Sequence, residues 1–89
     1  MNFSIVDAFK KSFPGIEINT PSWAMLGVAD EFRKLNVGDI VLFPIAAYNY
    51  QTIRSTPSTT LVPERINEGR KWTTKLDKDN KSVAVLRIM

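Results

Sequence analysis

The apolar positions near the start of the chain repeat with the spacing of a helix. Ile5, Phe9 and Phe13 recur at every fourth position, which places them on one stripe of a helix surface. Ser4 stands in front of this stripe, with an acidic side chain three positions later, as in a capping box. A Pro-Gly pair follows the stripe and favours a helix end. The pattern predicts a helix over residues 4–13.

Three later segments have the composition of β-strands. Residues 38–44 contain a continuous run of β-favouring apolar side chains between a glycine and a proline, which predicts a buried strand. Residues 71–76 and 82–88 are rich in β-favouring side chains and are separated by a polar loop, which predicts a hairpin. The alternation of Ile16–Ile18 allows a further short strand. The three main segments together predict a three-stranded antiparallel sheet.

The segment from Trp23 to Leu35 allows two interpretations. Its apolar residues have helical spacing, but Gly27 weakens a helix because glycine has a low helix propensity. The alternative is an irregular segment that ends in a strand near Phe32.

Residues 49–69 predict short helical pieces separated by prolines. Asn49 or Tyr48 is placed to cap the first piece. A proline inside a helix costs roughly 3 kcal/mol, so we expect Pro57 at the first position of a new helical turn. We expect Pro63 at the first position of the next piece, which a glycine then ends.

The length and composition of the chain suit one small globular domain. It has 89 residues, of which 44% are hydrophobic. We expect a single α+β domain over residues 1–89, with a helical or irregular part over 1–35 and a strand–helix–hairpin unit over 36–89. Two or three short helices would pack on the three-stranded antiparallel sheet, whose last two strands form a C-terminal β-hairpin. This outline is winged-helix-like.

The composition excludes several kinds of chemistry. The chain has no cysteine and no histidine, which excludes disulfides, thiolate nucleophiles, Ser-His-Asp triads and metal sites built from these residues. No two carboxylates are clustered in an apolar context that would separate their pKa values, and no Gly-rich phosphate loop is present. We therefore expect a protein that is not an enzyme and that holds no metal and no cofactor.

The sequence gives no sign of a membrane or of secretion. Its apolar runs are far shorter than the roughly 20 residues that a membrane-spanning helix needs. Residues 1–4 lack the basic region followed by an apolar region that begins a secretory signal. We expect a cytoplasmic protein, in the host cell cytoplasm if the protein is viral, with no membrane partner.

The charge is distributed unevenly along the chain. Residues 1–44 carry four basic and five acidic side chains, whereas residues 45–89 carry eight basic and four acidic side chains, which give net charges of −1 and +4. This asymmetry directs a polyanion to the C-terminal half, although a solvated lysine-rich surface would have the same composition. The candidate nucleic-acid-binding residues are polar or basic side chains of the predicted helical segment and hairpin: Gln51, Thr52, Arg54, Ser55, Ser58, Arg70, Lys71, Lys75, Lys78 and Lys81.

Each group of candidates also has a structural interpretation. Polar side chains of the helical segment are of the kind that contact phosphates and base edges, but serine and threonine also cap broken helices. Arg54 stands out because its neighbour Ile53 is expected to face inward. The hairpin cations could bind phosphates, and lysines also protect edge strands from aggregation.

The aromatic residues divide into two groups. Trp72 could stack on a base, but its place on a strand face favours the core, and we expect the same of Trp23. Tyr48 and Tyr50 suit either the rim of the core or a contact with a partner.

Four short blocks in the second part of the chain form a recognisable series. They are Val37–Pro44, Ile53–Thr56, Gly69–Lys75 and Val85–Ile88. The series resembles small phage and mobile-element proteins with the successive patterns VGDSxxFP, SxRSTAS, GRKFTTR and VxRI. The resemblance covers about residues 35–88 and implies a strand–helix–hairpin fold, a viral or mobile-element origin and binding to DNA.

Two functions from different classes are compatible with these observations. The first is a non-enzymatic nucleic-acid-binding protein of a phage or mobile element, with double-stranded DNA as its target. The alternative is a phage-encoded protein–protein interaction module, such as an inhibitor of a host protein or a small structural subunit, with the N-terminal half as its contact surface.

The last strand also bears on self-association. Val83 and Val85 lie on one face of the predicted strand, and Ala84, Leu86 and Ile88 lie on the other, so both faces are apolar. A strand of this kind is normally covered on both sides. The second face predicts a homodimer with two-fold symmetry, unless the N-terminal helix covers it.

Overall fold

The computed structural model describes residues 4–89, which form four helices and one four-stranded sheet. In chain order the elements are α1 Ser4–Ser12, β1 Pro21–Trp23, α2 Val28–Lys34, β2 Ile40–Pro44, α3 Tyr50–Thr59, α4 Val62–Glu68, β3 Trp72–Asp77 and β4 Ser82–Arg87. The α+β class is therefore confirmed, with one more strand than the sequence predicted and more than the two or three helices expected.

The sheet is mixed, with the strand order β1-β2-β4-β3. β4 pairs antiparallel with both β2 and β3, so the three predicted antiparallel strands are confirmed. The prediction of a purely antiparallel sheet is wrong because β1 adds a parallel strand beside β2, with Trp23 opposite Leu42. β1 has only three residues and begins with Pro21, a residue that sheets accept at the first position of an edge strand. Its strand character comes from pairing with β2, which no local pattern shows.

The ambiguous segment after β1 is a helix, α2. Phe32 lies in this helix and is fully buried, so the alternative strand near Phe32 is wrong. Gly27 is the N-cap of α2, and glycine is well tolerated at that position because it lies outside the helix interior. Ile16–Ile18 forms no strand. The helix α1 begins at Ser4, whose predicted capping side chain lies outside the described part of the structure.

The helix α3 passes through Pro57, so the prediction of a new helical turn at this residue is wrong. Pro57 is the eighth of the ten residues of α3, where its missing N–H leaves only the carbonyl of Ile53 without an intrahelical donor. The Thr56 hydroxyl donates to the Thr52 carbonyl at 2.7 Å and supports the turn just before the proline. The cap of α3 is confirmed as Asn49, whose side chain accepts from the Gln51 N–H at 2.8 Å.

The next helix, α4, ends before Gly69 as predicted but begins at Val62, one residue before the predicted start at Pro63. Pro63 lies in its first turn, where a proline loses no hydrogen bond. Gly69 ends the helix in the left-handed conformation, with φ 69°.

The sheet is covered on both faces. Helices α2 and α3 and the Leu61 side chain cover the face of β4 that carries Val83 and Val85. On the opposite face, Ile5 and Phe9 of α1 pack against the residues that the other sides of β2 and β4 present, namely Ile40, Leu42, Ala84 and Leu86. The uncovered face from which the dimer was predicted is therefore not present, because the N-terminal helix occupies it.

The two tryptophans have different environments. Trp72 is half-buried against the core, and its indole N–H donates to the Phe32 carbonyl at 3.1 Å, which confirms the predicted core position. Trp23 is 49% exposed, so its predicted core position is wrong. The reason is its place on the three-residue edge strand, which has a neighbouring strand on one side only.

Candidate nucleic-acid interface

The helix α3 presents two polar stripes to solvent. Gln51, Arg54 and Ser58 follow one another at three- and four-residue intervals and share one stripe, while Thr52 and Ser55 lie round the helix from it. All five side chains are exposed, whereas Ile53 and Thr56 between them are buried. The inward position predicted for Ile53 is therefore confirmed.

On this side of α3, the hydroxyl groups of Ser55 and Thr59 bond to the helix itself. The Ser55 hydroxyl donates to the Thr52 carbonyl at 3.3 Å, and the Thr59 hydroxyl donates to the Ser55 carbonyl at 3.1 Å. Side chains that bond to their own helix in this way are less available to a ligand. They bind carbonyls within one continuous helix and do not cap broken ones.

The stripe with Arg54 borders a cleft between α3 and the edge strand β3. The cleft has a volume of about 280 Å³. Its polar and aromatic lining comes from three elements and the segment before β3: Arg54, Ser58, Arg65, Lys71, Trp72 and Thr74. Helix α3 contributes two of these side chains, α4 contributes one, the segment before β3 contributes Lys71, and β3 contributes Trp72 and Thr74.

The cleft has a strongly positive lining. Three of its side chains are cations, and no carboxylate among residues 4–89 lines it. Arg54 and Lys71 form no ion pair with any described residue, and Arg65 contacts only the Pro57 carbonyl, at 3.4 Å. Three like charges with no opposite charge between them favour an anion at this place.

The nearby acidic residues are held by other arginines. Glu64 of α4 accepts from Arg33 of α2 at 2.9 Å, and this hydrogen bond lowers the pKa of Glu64 and raises the pKa of Arg33. Glu68 pairs with Arg70 at 2.7 Å. Both carboxylates therefore compensate arginines that do not line the cleft.

Arg70 is one of the predicted candidates that the structure uses elsewhere. Besides its pair with Glu68, it donates to the Arg33 carbonyl at 3.3 Å. It therefore connects the end of α4 to α2 and is only partly exposed.

The other lysine candidates lie away from the cleft. Lys75 is on the opposite face of β3 from Trp72 and Thr74, because it pairs with Ala84 on the α1 side of the sheet. Lys75 and Lys78 border a second recess, together with Asp77, Asp79 and part of α1. Lys81 lies in the β3–β4 turn with φ 48°. The structure thus brings Arg54, Ser58 and Lys71 together at the cleft, places Lys75, Lys78 and Lys81 at or beside the hairpin turn, and leaves the remaining candidates outside both.

Two polar residues of the cleft were not among the sequence candidates. Arg65 lies on a separate helix from Arg54, and their approach depends on the two-residue connection between α3 and α4. Thr74 directly precedes the predicted Lys75 on β3, and the direction of its side chain follows from strand pairing. The proline at position 63 predicts that Arg65 lies in a helix, but nothing in the sequence indicates that this helix approaches β3.

Trp72 forms a wall of the cleft and is held in place by the core. Its ring meets Phe32 edge to face, with 5.8 Å between the centroids. This contact and the indole hydrogen bond to Phe32 leave only part of the ring surface toward the cleft.

A second surface is apolar and lies beside β1. Trp23, Leu26 and Ile45 are each about half exposed, and Met25 is 88% exposed. The loop that carries Met25 and Leu26 is hydrogen-bonded to α2. Both backbone N–H groups donate to the buried carboxylate of Glu31, at 2.5 and 2.6 Å.

Within residues 4–89, no cluster of three or more acidic side chains is placed to bind a metal ion. The helices of the same part of the chain are all too short or too polar to cross a membrane. Comparison of the chain with protein-family models, with curated proteins and with solved structures finds no match.

Proposed function

We propose that this protein is a non-enzymatic nucleic-acid-binding protein whose target is double-stranded DNA. The observation that carries the proposal is the cleft between α3 and β3, where Arg54, Arg65 and Lys71 meet without a carboxylate among the described lining residues. Cations that release counterions from phosphates supply most of the affinity of such proteins for DNA.

The hairpin turn would provide a second group of phosphate contacts. Lys78 and Lys81 are exposed at the turn between β3 and β4, and Lys75 lies on the adjacent strand. Contacts at two separate places on the protein would fix its orientation on a duplex, as phosphate contacts generally do.

The resemblance to small phage and mobile-element proteins supports a viral or mobile-element origin. Its blocks fall on β2, α3, β3 and β4, so they coincide with the elements that form the basic surface and its supporting strands. On this proposal the protein works in the cytoplasm of the host cell, where its DNA target is present.

The test is duplex binding measured as a function of salt. We expect affinity for a labelled duplex to fall steeply between ~50 and ~200 mM salt, as counterion release requires. In the Lys78→Gln/Lys81→Gln variant, the slope of log affinity against log salt should decrease by about 1 for each of these lysines that binds a phosphate in the parent protein.

The Lys10→Gln/Lys11→Gln variant is the matched control, because it removes the same charge from exposed positions on α1. It should change the slope less than the hairpin variant does. Equal effects of the two variants would contradict a binding surface in the C-terminal half, and affinity independent of salt would contradict the proposal as a whole.

The exposed apolar surface favours a second candidate function, the protein–protein interaction module. Met25 and Leu26 are exposed on a loop whose backbone N–H groups bond to Glu31, and exposed apolar patches often mark protein contacts. A pull-down from nuclease-treated host lysate should then recover a stoichiometric protein, and the Met25→Ser/Leu26→Ser variant should fail to recover it.

Ile66→Ser is the control for that experiment. Ile66 is likewise an exposed apolar residue, with 76% of its surface accessible, but it lies on α4. A partner retained by the Met25→Ser/Leu26→Ser variant would contradict a contact at this loop. Recovery of nucleic acid alone from lysate without nuclease would favour the first proposal.

A further inference from the structure

The shape of the α3–β3 cleft limits what part of a nucleic acid can enter it. Its volume of about 280 Å³ lies just below the ~300–1,000 Å³ of typical small-ligand sites. A phosphoryl group with part of its sugar fits this volume. Helix α3 borders one side, β3 the other, and α4 contributes Arg65.

The charge of the cleft matches a phosphate monoester better than an internal phosphodiester. An internal phosphodiester carries one negative charge, which would leave most of the charge of Arg54, Arg65 and Lys71 uncompensated. A phosphate monoester carries about −1.5 to −2 near neutral pH. No carboxylate among the described residues lines the cleft, so no acidic side chain there competes with the second negative charge of the phosphate for the three cations.

The hydrogen-bonding groups of the cleft agree with this match. A phosphate monoester presents three terminal acceptor oxygens, and each guanidinium can donate two parallel N–H bonds to such a group. The lining offers Arg54 and Arg65 as guanidinium donors, Lys71 as an ammonium donor, and the hydroxyls of Ser58 and Thr74. All five groups can donate hydrogen bonds, which suits the phosphate oxygens because an ionised phosphate only accepts them.

We infer that the α3–β3 cleft binds the terminal phosphate monoester of a nucleic-acid strand, so that the protein recognises phosphorylated DNA ends. This inference rests on the proposed function. The half-buried ring of Trp72 forms one wall of the cleft, beside the terminal sugar that carries the phosphate or the base of that nucleotide. The hairpin lysines then contact the adjacent duplex.

The experiment compares short duplexes of one sequence that differ only at their ends. One has 5′-phosphates, one has 3′-phosphates and one has only hydroxyl ends, and each carries a fluorescent label at an internal base for anisotropy. We expect about tenfold tighter binding of a phosphorylated duplex, because several charge-assisted hydrogen bonds are added. The increase in affinity should appear for the 5′-phosphate or for the 3′-phosphate, depending on which end the cleft binds.

Two single variants place the effect in the cleft. Arg54→Gln and Arg65→Gln should each remove most of the preference for the phosphorylated end, and neither residue is buried, so both variants should fold. Lys81→Gln, outside the cleft, should weaken binding to all the duplexes and leave the preference unchanged. A Trp23→Phe background leaves Trp72 as the sole tryptophan, and its emission should change only with phosphorylated ends.

The outcomes separate this inference from the function on which it rests. Salt-dependent binding that is equal for all three duplexes would overturn the inference and leave DNA binding intact. If no duplex binds, the proposed function fails. If a free nucleoside monophosphate displaces the duplex at concentrations equal to those of the phosphorylated end, the cleft serves a small nucleotide and the assignment to strand ends is overturned.

Discussion

Gly38 lies in the turn before β2, where the backbone of another segment passes close to it. Its φ of 92° is in the left-handed region, and a Cβ built at this position would lie 2.0 Å from the Glu17 carbonyl oxygen. Its N–H donates to the Arg87 carbonyl at 2.8 Å, and its own carbonyl accepts from the Asn19 N–H at 2.7 Å. The glycine therefore joins the N-terminal loop to the end of β4.

We expect Gly38→Ala to be strongly destabilising. The left-handed conformation alone costs about 1–2 kcal/mol for alanine, and the clash with a backbone oxygen adds to it. Gly69→Ala carries the same conformational cost without a clash, and Gly15→Ala carries neither. Denaturant unfolding should rank the losses in the order Gly38, Gly69, Gly15, and a Gly38→Ala no worse than Gly69→Ala would contradict the close approach.

Glu31 is a fully buried carboxylate with three partners. Burial acts to raise its pKa, but hydrogen bonds from Lys34 and from the N–H groups of Met25 and Leu26 outweigh it and hold the pKa below the ordinary value of 4.5. A lowered pKa means that the unfolded state binds the proton more tightly. The stability from Glu31 is therefore present above about pH 4.5 and is lost as the pH falls below that value.

The Glu31→Gln variant tests this contribution. It should be about 1–3 kcal/mol less stable at neutral pH, because the two loop N–H groups lose a charged acceptor. Its stability should also decline less than that of the parent between about pH 6 and about pH 3. Urea midpoints across this range provide the measurement, and parallel pH profiles for the two proteins would contradict the role of the carboxylate.

Among the elements, α3 is the one whose local sequence opposes its structure. Pro57 is inside the helix, close to its C-terminal end, and borders the cleft next to Ser58. Buried Ile53 and Thr56, both just before the proline, attach the same helix to the core. Packing therefore maintains a helix that the proline weakens.

Replacing Pro57 by alanine should stabilise the protein. Alanine restores an N–H for the Ile53 carbonyl, and the gain should be about 2 kcal/mol after the greater freedom of the unfolded chain is subtracted. Pro63→Ala is the matched control, because Pro63 lies in the first turn of α4 and lacks no hydrogen bond. Thermal unfolding should show a gain for the first variant only. A loss of stability in Pro57→Ala would indicate that a new helix begins there.

At the scale of the whole molecule, α1 completes the hydrophobic core by covering the second face of the sheet. The radius of gyration is 12.1 Å, the value expected for a compact chain of this length, so α1 lies against the sheet and does not extend from it. Phe9 of α1 is fully buried against the apolar residues of β2 and β4. With this face covered, we expect the 10.1 kDa chain to be monomeric in solution.

Exposing that face should produce self-association. Phe9→Ser should cost at least the ~3–5 kcal/mol of a large-to-small core substitution and release α1 from the sheet. Light scattering should then show a mass that rises with concentration, while Phe13→Ser, at a half-buried position, has a smaller effect. A parent protein that is already dimeric at micromolar concentration would contradict the covering role of α1.

Features that depend on neighbouring residues were determined by the sequence itself. The run from Ile40 to Phe43 predicts β2, the alternation after Trp72 predicts the hairpin, and Pro63 with Gly69 delimits α4. Each of these signals acts within a few residues, through backbone preference and the period of the apolar side chains.

Only the tertiary structure decided the features that join distant parts of the chain. β1 is a strand because Trp23 meets Leu42, and α1 covers the sheet because Phe9 meets residues more than thirty positions away. The cleft exists because the connection from α3 to α4 brings Arg65 and Arg54 to the same side of β3. Such contacts depend on packing free energy summed over the whole fold, which no local pattern of residues contains.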